Sequence, residues 1–123
     1  GNMLLWSNKR DGDKGHIALK KEVADSLNWM LEKAINEGTG KAAKLDDRPV
    51  TGKTGTSEGG RDLWFIGSIP QLTTAIWFGY DNNQKTNISS GESAYAWKNL
   101  MQKISKDLKV IKFPHNSSRK IKY

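Results

Sequence analysis

Three strand-like segments, at about residues 50–56, 62–69 and 73–80, are joined by turns too short for anything but antiparallel neighbours. The turns are Ser57-Glu58-Gly59-Gly60-Arg61 and Pro70-Gln71-Leu72, whereas a parallel connection needs a crossover of a dozen or more residues. A meander follows. In Leu63-Trp64-Phe65-Ile66 and Ala75-Ile76-Trp77-Phe78 apolar residues occupy both faces, where a half-buried sheet would alternate. Cover on both sides is therefore expected, and two amphipathic segments can supply it. The first spans about 20–37, where Leu19, Val23, Leu27, Met30, Leu31, Ala34 and Ile35 make one stripe at helical spacing. Gly38 is placed to close it as a left-handed cap. The second lies near 93–108, with a stripe of Ala94, Trp97, Leu100, Met101, Ile104 and Leu108 and Ser93 as its N-cap. The fold class is α+β, an antiparallel β-sheet flanked by helices on both faces.

Composition narrows the function. At 123 residues the chain holds one domain with one modest core. No apolar run approaches the roughly 20 residues of a membrane span. There is no cysteine, hence no disulfide and no thiolate metal site. His16 and His115 lie far apart, and no carboxylate–histidine cluster has ligand spacing, so neither metal nor cofactor is expected. Five of the 20 Lys and Arg, but none of the 13 Asp and Glu, follow residue 108. Residues 1–108 are thus expected to form the folded part, and 109–123 a basic, disordered, solvated tail. A nucleic-acid-binding module would interleave exposed aromatics with basic residues. Here Trp64, Trp77 and Trp97 fall in strand or helix stripes and read as core, so no nucleic acid is expected.

The segment with chemistry is Lys53-Thr54-Gly55-Thr56, within the first strand. Lys53 supplies a positive charge, Thr54 and Thr56 supply hydroxyl donors, and Gly55 lets a ligand lie close to the backbone. A cation beside hydroxyls suits a carboxylate, a strand forming one wall of a cleft can add an extended peptide, and a backbone N–H aimed into that cleft suits an oxyanion. Gly52-Lys53-Thr54 also matches the end of a nucleotide-binding G-x-x-x-x-G-K-[ST] loop. That loop needs glycine at 47, which is Asp47, and needs a helix to follow.

The surrounding order of motifs resembles the C-terminal part of the transpeptidase domain of class A, or bifunctional, penicillin-binding proteins. The resemblance covers about residues 4–107. It rests on Leu4-Leu5-Trp6-Ser7, Asn36-Glu37-Gly38-Thr39-Gly40, Arg48-Pro49-Val50-Thr51-Gly52-Lys53-Thr54-Gly55-Thr56, Arg61-Asp62-Leu63-Trp64-Phe65-Ile66-Gly67 and Ile76-Trp77-Phe78-Gly79-Tyr80-Asp81. It implies a partial penicillin-binding-protein/β-lactamase-like fold and a serine acyl transfer that cross-links peptidoglycan stem peptides. It further implies that Lys53 organises the site, that Thr54, Gly55 and Thr56 bind the carboxylate of D-Ala-D-Ala or of a β-lactam, and that the Thr56 N–H forms half of an oxyanion hole. The parent protein would be membrane-anchored and would work outside the cytoplasmic membrane.

The family also needs S-x-x-K and then S-x-N upstream of K-T-G. A literal S-x-x-K, Ser117-Ser118-Arg119-Lys120, follows it in the tail, and a literal S-x-N, Ser26-Leu27-Asn28, lies inside the first helix. Neither is expected to be functional, since a nucleophile must be held beside its base. The expectation is a fragment without a nucleophile, partnered by the rest of its transpeptidase domain or, in isolation, by copies of itself. A non-catalytic peptidoglycan-binding domain is the alternative.

Overall fold

The computed structural model describes residues 17–114. The expected strand end at 4–7, His16, His115 and Ser117 lie outside them. Helix α1 spans Lys21–Asn36, strands β1, β2 and β3 span Thr51–Thr56, Leu63–Ile69 and Leu72–Phe78, and helix α2 spans Ser90–Ile104. Short 3-10 turns occupy Lys41–Ala43 and Glu58–Gly60. The sheet is the expected antiparallel meander in the order β1-β2-β3. Its register pairs Lys53 with Ile66 and Thr54 with Phe65, and pairs Trp64 with Trp77 and Phe65 with Ile76. Opposed residues share a face, so Lys53, Gly55, Trp64, Ile66 and Trp77 lie on one side. Gly52, Thr54, Leu63, Phe65 and Gly67 lie on the other.

The second of these faces holds the core. Ile35 of α1, Leu45, Val50, Phe65, Ile69, and Ala94, Trp97 and Met101 of α2 form one buried cluster. Trp97 is fully buried, meets Phe65 edge to face at 5.4 Å between ring centroids, and donates its indole N–H to the Thr74 carbonyl at 3.2 Å. Two glycines make this packing possible. A Cβ on Gly67 would stand 2.5 Å from Phe65 and 2.8 Å from Trp97, and one on Gly52 would stand 2.6 Å from Phe65. All three distances are far below van der Waals contact.

Helix α2 lies on β2 and β3, and α1 packs along β1. Five details differ from the sequence reading. Trp64 and Trp77, expected in the core, are each 42% exposed, because they project from the face opposite α2. The α1 stripe is also outward. Leu19, Val23, Leu27 and Met30 are exposed, while Asp25 and Ile35 are buried. Only the last turn of the helix reaches the core. Asp25 is paired with Lys21 at 2.5 Å, which compensates its burial.

The helix ends differ too. Gly38 is not in the left-handed region, which among the described glycines holds only Gly59 and Gly60. Instead the N–H groups of Gly38 and Gly40 both donate to the Ala34 carbonyl, each at 3.1 Å. A Cβ on Gly38 would come within 2.9 Å of that oxygen, so glycine is required for room rather than for φ. Helix α2 starts earlier than expected, at Ser90 with Ser89 as N-cap. Ser93 lies within the helix, buried, and donates to the Leu63 carbonyl at 3.0 Å. Finally, part of the expected tail packs on the body. Residues 109–114 form no helix or strand, yet Phe113 is 7% exposed and Gln71 donates to the Lys109 carbonyl at 2.6 Å.

Candidate functional site

The site is built on an edge. Among the described residues β1 pairs with β2 on one side only, so there the backbone groups of alternate residues on its outer side have no ladder partner. Lys53 is exposed, and its ammonium lies back along this edge, donating to the Thr54 carbonyl at 3.0 Å and standing 3.4 Å from Thr54 Oγ1. The Thr54 hydroxyl meets a second hydroxyl, that of Thr39, at 3.1 Å. A cation, two hydroxyls and unpaired main-chain groups thus converge at one strand edge. A cation beside hydroxyl donors is a set chemically suited to a carboxylate, through charge-assisted hydrogen bonds.

Gly55 separates itself from the other strand glycines. Gly52 and Gly67 are imposed by packing, but a Cβ on Gly55 would meet only Trp64 Cβ at 3.4 Å, ordinary contact. Its φ is not positive either. Neither sterics nor backbone conformation inside the described residues requires glycine there.

The far end of β1 is fixed by a lock that no local pattern of residues signals. After Thr56, the Ser57 N–H donates to the Asp62 carbonyl at 3.0 Å, and the Asp62 N–H donates to Ser57 Oγ at 2.8 Å. Gly59 and Gly60 take φ of 71° and 67°, a region closed to most side chains. Thr86 then clamps the turn, its N–H and its hydroxyl both donating to the Gly60 carbonyl, at 3.1 Å and 2.5 Å. The Arg61 guanidinium donates to the Asn83 carbonyl, and the Trp77 indole donates to Asp62 at 3.1 Å. These bonds hold the main chain just beyond Thr56 against the loop that follows β3.

The entry to β1 is anchored by Arg48, whose side chain is 4% exposed. Its Nε and Nη2 donate to Asp47 Oδ2 at 3.0 Å and 2.8 Å. Nη1 is buried without a hydrogen-bond partner among the described residues. The hydrogen bond from Arg48 holds the Asp47 carboxyl below the usual carboxylate range, partly opposed by burial. A lowered folded-state pKa stabilises above the unfolded value, and that contribution is lost as pH falls through the folded one. The Asp47 side chain is 59% exposed, so solvent screening keeps the contribution small.

Of the two literal serine motifs, only Ser26-Leu27-Asn28 lies among the described residues. Ser26 donates to the Glu22 carbonyl at 2.7 Å, a bond along its own helix, and Ser117-Ser118-Arg119-Lys120 lies outside the described residues. Among the described residues no group of three or more His, Asp or Glu is placed to hold a metal. None of their helices is long and apolar enough to cross a membrane.

Comparison with known proteins agrees with this architecture. The family described as penicillin binding protein transpeptidase domain matches residues 7–106. Penicillin-binding protein 1A of Clostridium acetobutylicum is 38% identical over 73 residues, which are 59% of this chain and 9% of that protein. Penicillin-binding protein 1B of Vibrio cholerae is 33% identical over 96 residues, 76% of this chain and 12% of that protein. The chain therefore spans about a tenth of the length of these relatives. Among solved structures, penicillin-binding protein 1A from Haemophilus influenzae superposes with a TM-score of 0.66 at 23% identity, over 80% of this chain and 17% of that one. The transpeptidase domain of the FtsI4 D,D-transpeptidase from Legionella pneumophila gives 0.52 at 28% identity, over 70% of this chain and 36% of that one.

Proposed function

The chain belongs to the penicillin-binding protein transpeptidase family, and we propose that it is the part of a D,D-transpeptidase that grips the terminal carboxylate of its acyl donor. The donor is a stem peptide ending in D-Ala-D-Ala, or a β-lactam in its place. The observation that carries this reading is the convergence of Lys53, Thr54 and Thr39 at an open strand edge. Gly55 supports it, since its missing side chain is left unexplained by packing and is accounted for by a ligand lying against the backbone.

Each residue has a role in acyl transfer. Lys53 and the hydroxyls of Thr54 and Thr56 hold the carboxylate. The Thr56 N–H is one donor of the oxyanion hole, kept in place by the lock at Ser57, Asp62 and Thr86. A serine supplied by the rest of the transpeptidase attacks the carbonyl between the two D-alanines. The C–N bond breaks, D-alanine leaves with the proton on its amine, and the acyl group passes to an amine of a neighbouring stem peptide. The chain itself supplies no nucleophile and is inactive alone. Such an enzyme works on peptidoglycan at the outer face of the cytoplasmic membrane.

The rest of the transpeptidase is the natural partner of the surfaces left open, the Trp64–Ile66–Trp77 sheet face and the outward α1 stripe. Without it those surfaces favour association between copies of the chain.

The reading is tested on the chain as it stands by titrating the 15N-labelled protein with N-acetyl-D-alanyl-D-alanine and with its C-terminal amide. The acid should shift the amide resonances of Thr54, Gly55 and Thr56 at lower concentration than the amide does. Equal response to both, or no response, would overturn the assignment of this edge as a carboxylate site.

A further inference from the structure

The Thr39–Thr54 contact joins residues that no local pattern connects. Thr39 lies in the loop leaving α1, and Thr54 lies in β1. Their hydroxyl oxygens are 3.1 Å apart, and either one could be the donor. Thr39 is not loosely held. It stands between Gly38 and Gly40, whose N–H groups both donate to the Ala34 carbonyl. A Cβ on Gly40 would come within 2.6 Å of the Ile35 side chain, and Ile35 belongs to the core. The position of the Thr39 hydroxyl is thus tied to the end of α1 and through it to the buried cluster.

The hydrogen count at Thr54 shows what such a neighbour does. A hydroxyl has one hydrogen to give and two lone pairs to fill, while an ammonium can only donate. The Lys53 ammonium faces Thr54 Oγ1 at 3.4 Å and so presents only hydrogens to it. If Thr54 donates to Thr39, its single hydrogen is spent inside the protein. If Thr39 donates to Thr54, both lone pairs of Thr54 are occupied and its hydrogen is left to point outward. Only the second arrangement offers a donor to an anion at the edge. A bound carboxylate selects it, and a hydroxyl that already accepts hydrogen bonds is a stronger donor.

We propose that Thr39 is a positioning residue for carboxylate recognition, donating to Thr54 so that the Thr54 hydroxyl is presented to the ligand. This rests on the assignment of the Lys53–Thr56 edge as the carboxylate site. In this role Thr39 acts through Thr54 rather than by holding the ligand itself. It sets the direction and donor strength of the hydroxyl that does.

The test compares wild type, Thr39→Val and Thr39→Ser in the paired titration with N-acetyl-D-alanyl-D-alanine and its amide. Valine keeps the branched shape without the hydroxyl, and serine keeps the hydroxyl. Thr39→Val should weaken binding of the acid about five-fold, the scale of one lost hydrogen bond, and leave binding of the amide unchanged. Thr39→Ser should restore the acid affinity to within about two-fold. A loss of packing alone would weaken both ligands together or lower thermal stability, and serine would not rescue it. An unchanged ratio of acid to amide affinity in Thr39→Val, with wild type preferring the acid, would overturn the role of Thr39 alone. A wild type without that preference would overturn the site assignment, and the role of Thr39 with it.

Discussion

Lys53→Ala, introduced into a complete transpeptidase that carries this chain, should slow acylation by a penicillin about 100-fold, the scale of a charge-assisted hydrogen bond lost from a reacting complex. Among the described residues the ammonium is the one cationic group in contact with the Thr54 carbonyl and hydroxyl, and a neutral side chain cannot replace its charge as a carboxylate partner. The cost to stability should be small, under about 0.5 kcal/mol, as for exposed surface positions in general, because Lys53 is exposed and in no salt bridge among the described residues. Acylation rates followed with a fluorescent penicillin, beside urea melts of both proteins, separate the two effects. Near-normal acylation would remove Lys53 from the site, and a large loss of stability would make it a structural residue.

The opposite pattern is expected at Trp97. Trp97→Ala should cost about 3–5 kcal/mol, the range for emptying a large aromatic from a packed core, out of the roughly 5–15 kcal/mol that holds a typical domain. The indole is fully buried, packs edge-on to Phe65, and has its N–H satisfied by the Thr74 carbonyl. Gly67 leaves room for the ring and has no side chain of its own to fill the void. Trp64→Ala is the internal control. Its ring is half exposed on the other face, and its loss should cost less than about 1 kcal/mol in the isolated chain. Urea denaturation followed by circular dichroism decides between them. A Trp97→Ala chain as stable as Trp64→Ala would mean that α2 does not close the core.

The parts of the structure that were legible in the sequence are those governed by local chemistry. Glycine-rich and proline-containing turns fixed the hairpins at 57–61 and 70–72, and the antiparallel order followed. The Lys53-Thr54-Gly55-Thr56 segment was placed on a strand, as found. Trp64 and Trp77 were read as core because apolar residues occupy both faces of the strands, yet with Ile66 they stand exposed on one face; the pattern asks for cover without saying which element supplies it. The α1 stripe failed in the same way. Its periodicity defines a helix face without naming the partner, and the face that meets the body carries Asp25 as well as Ile35. Gly38 was read as a conformational cap when its reason is room beside Ala34. Phe113 was lost among lysines, because a basic segment with one buried aromatic has the composition of a solvated tail. Thr39 and the Thr86 clamp were illegible for a stronger reason. Their partners lie 15 and 26 residues away, and no spacing rule reaches across a fold.

On the proposed reading this chain holds the carboxylate-binding edge of a transpeptidase and supplies no nucleophile. Intact mass after incubation with excess benzylpenicillin tests it most directly. The isolated chain should show no added penicilloyl mass, while a complete transpeptidase carrying the chain should gain one per molecule under the same conditions. One stoichiometric adduct on the isolated chain, mapped to Ser26, Ser117 or any other residue, would contradict the account.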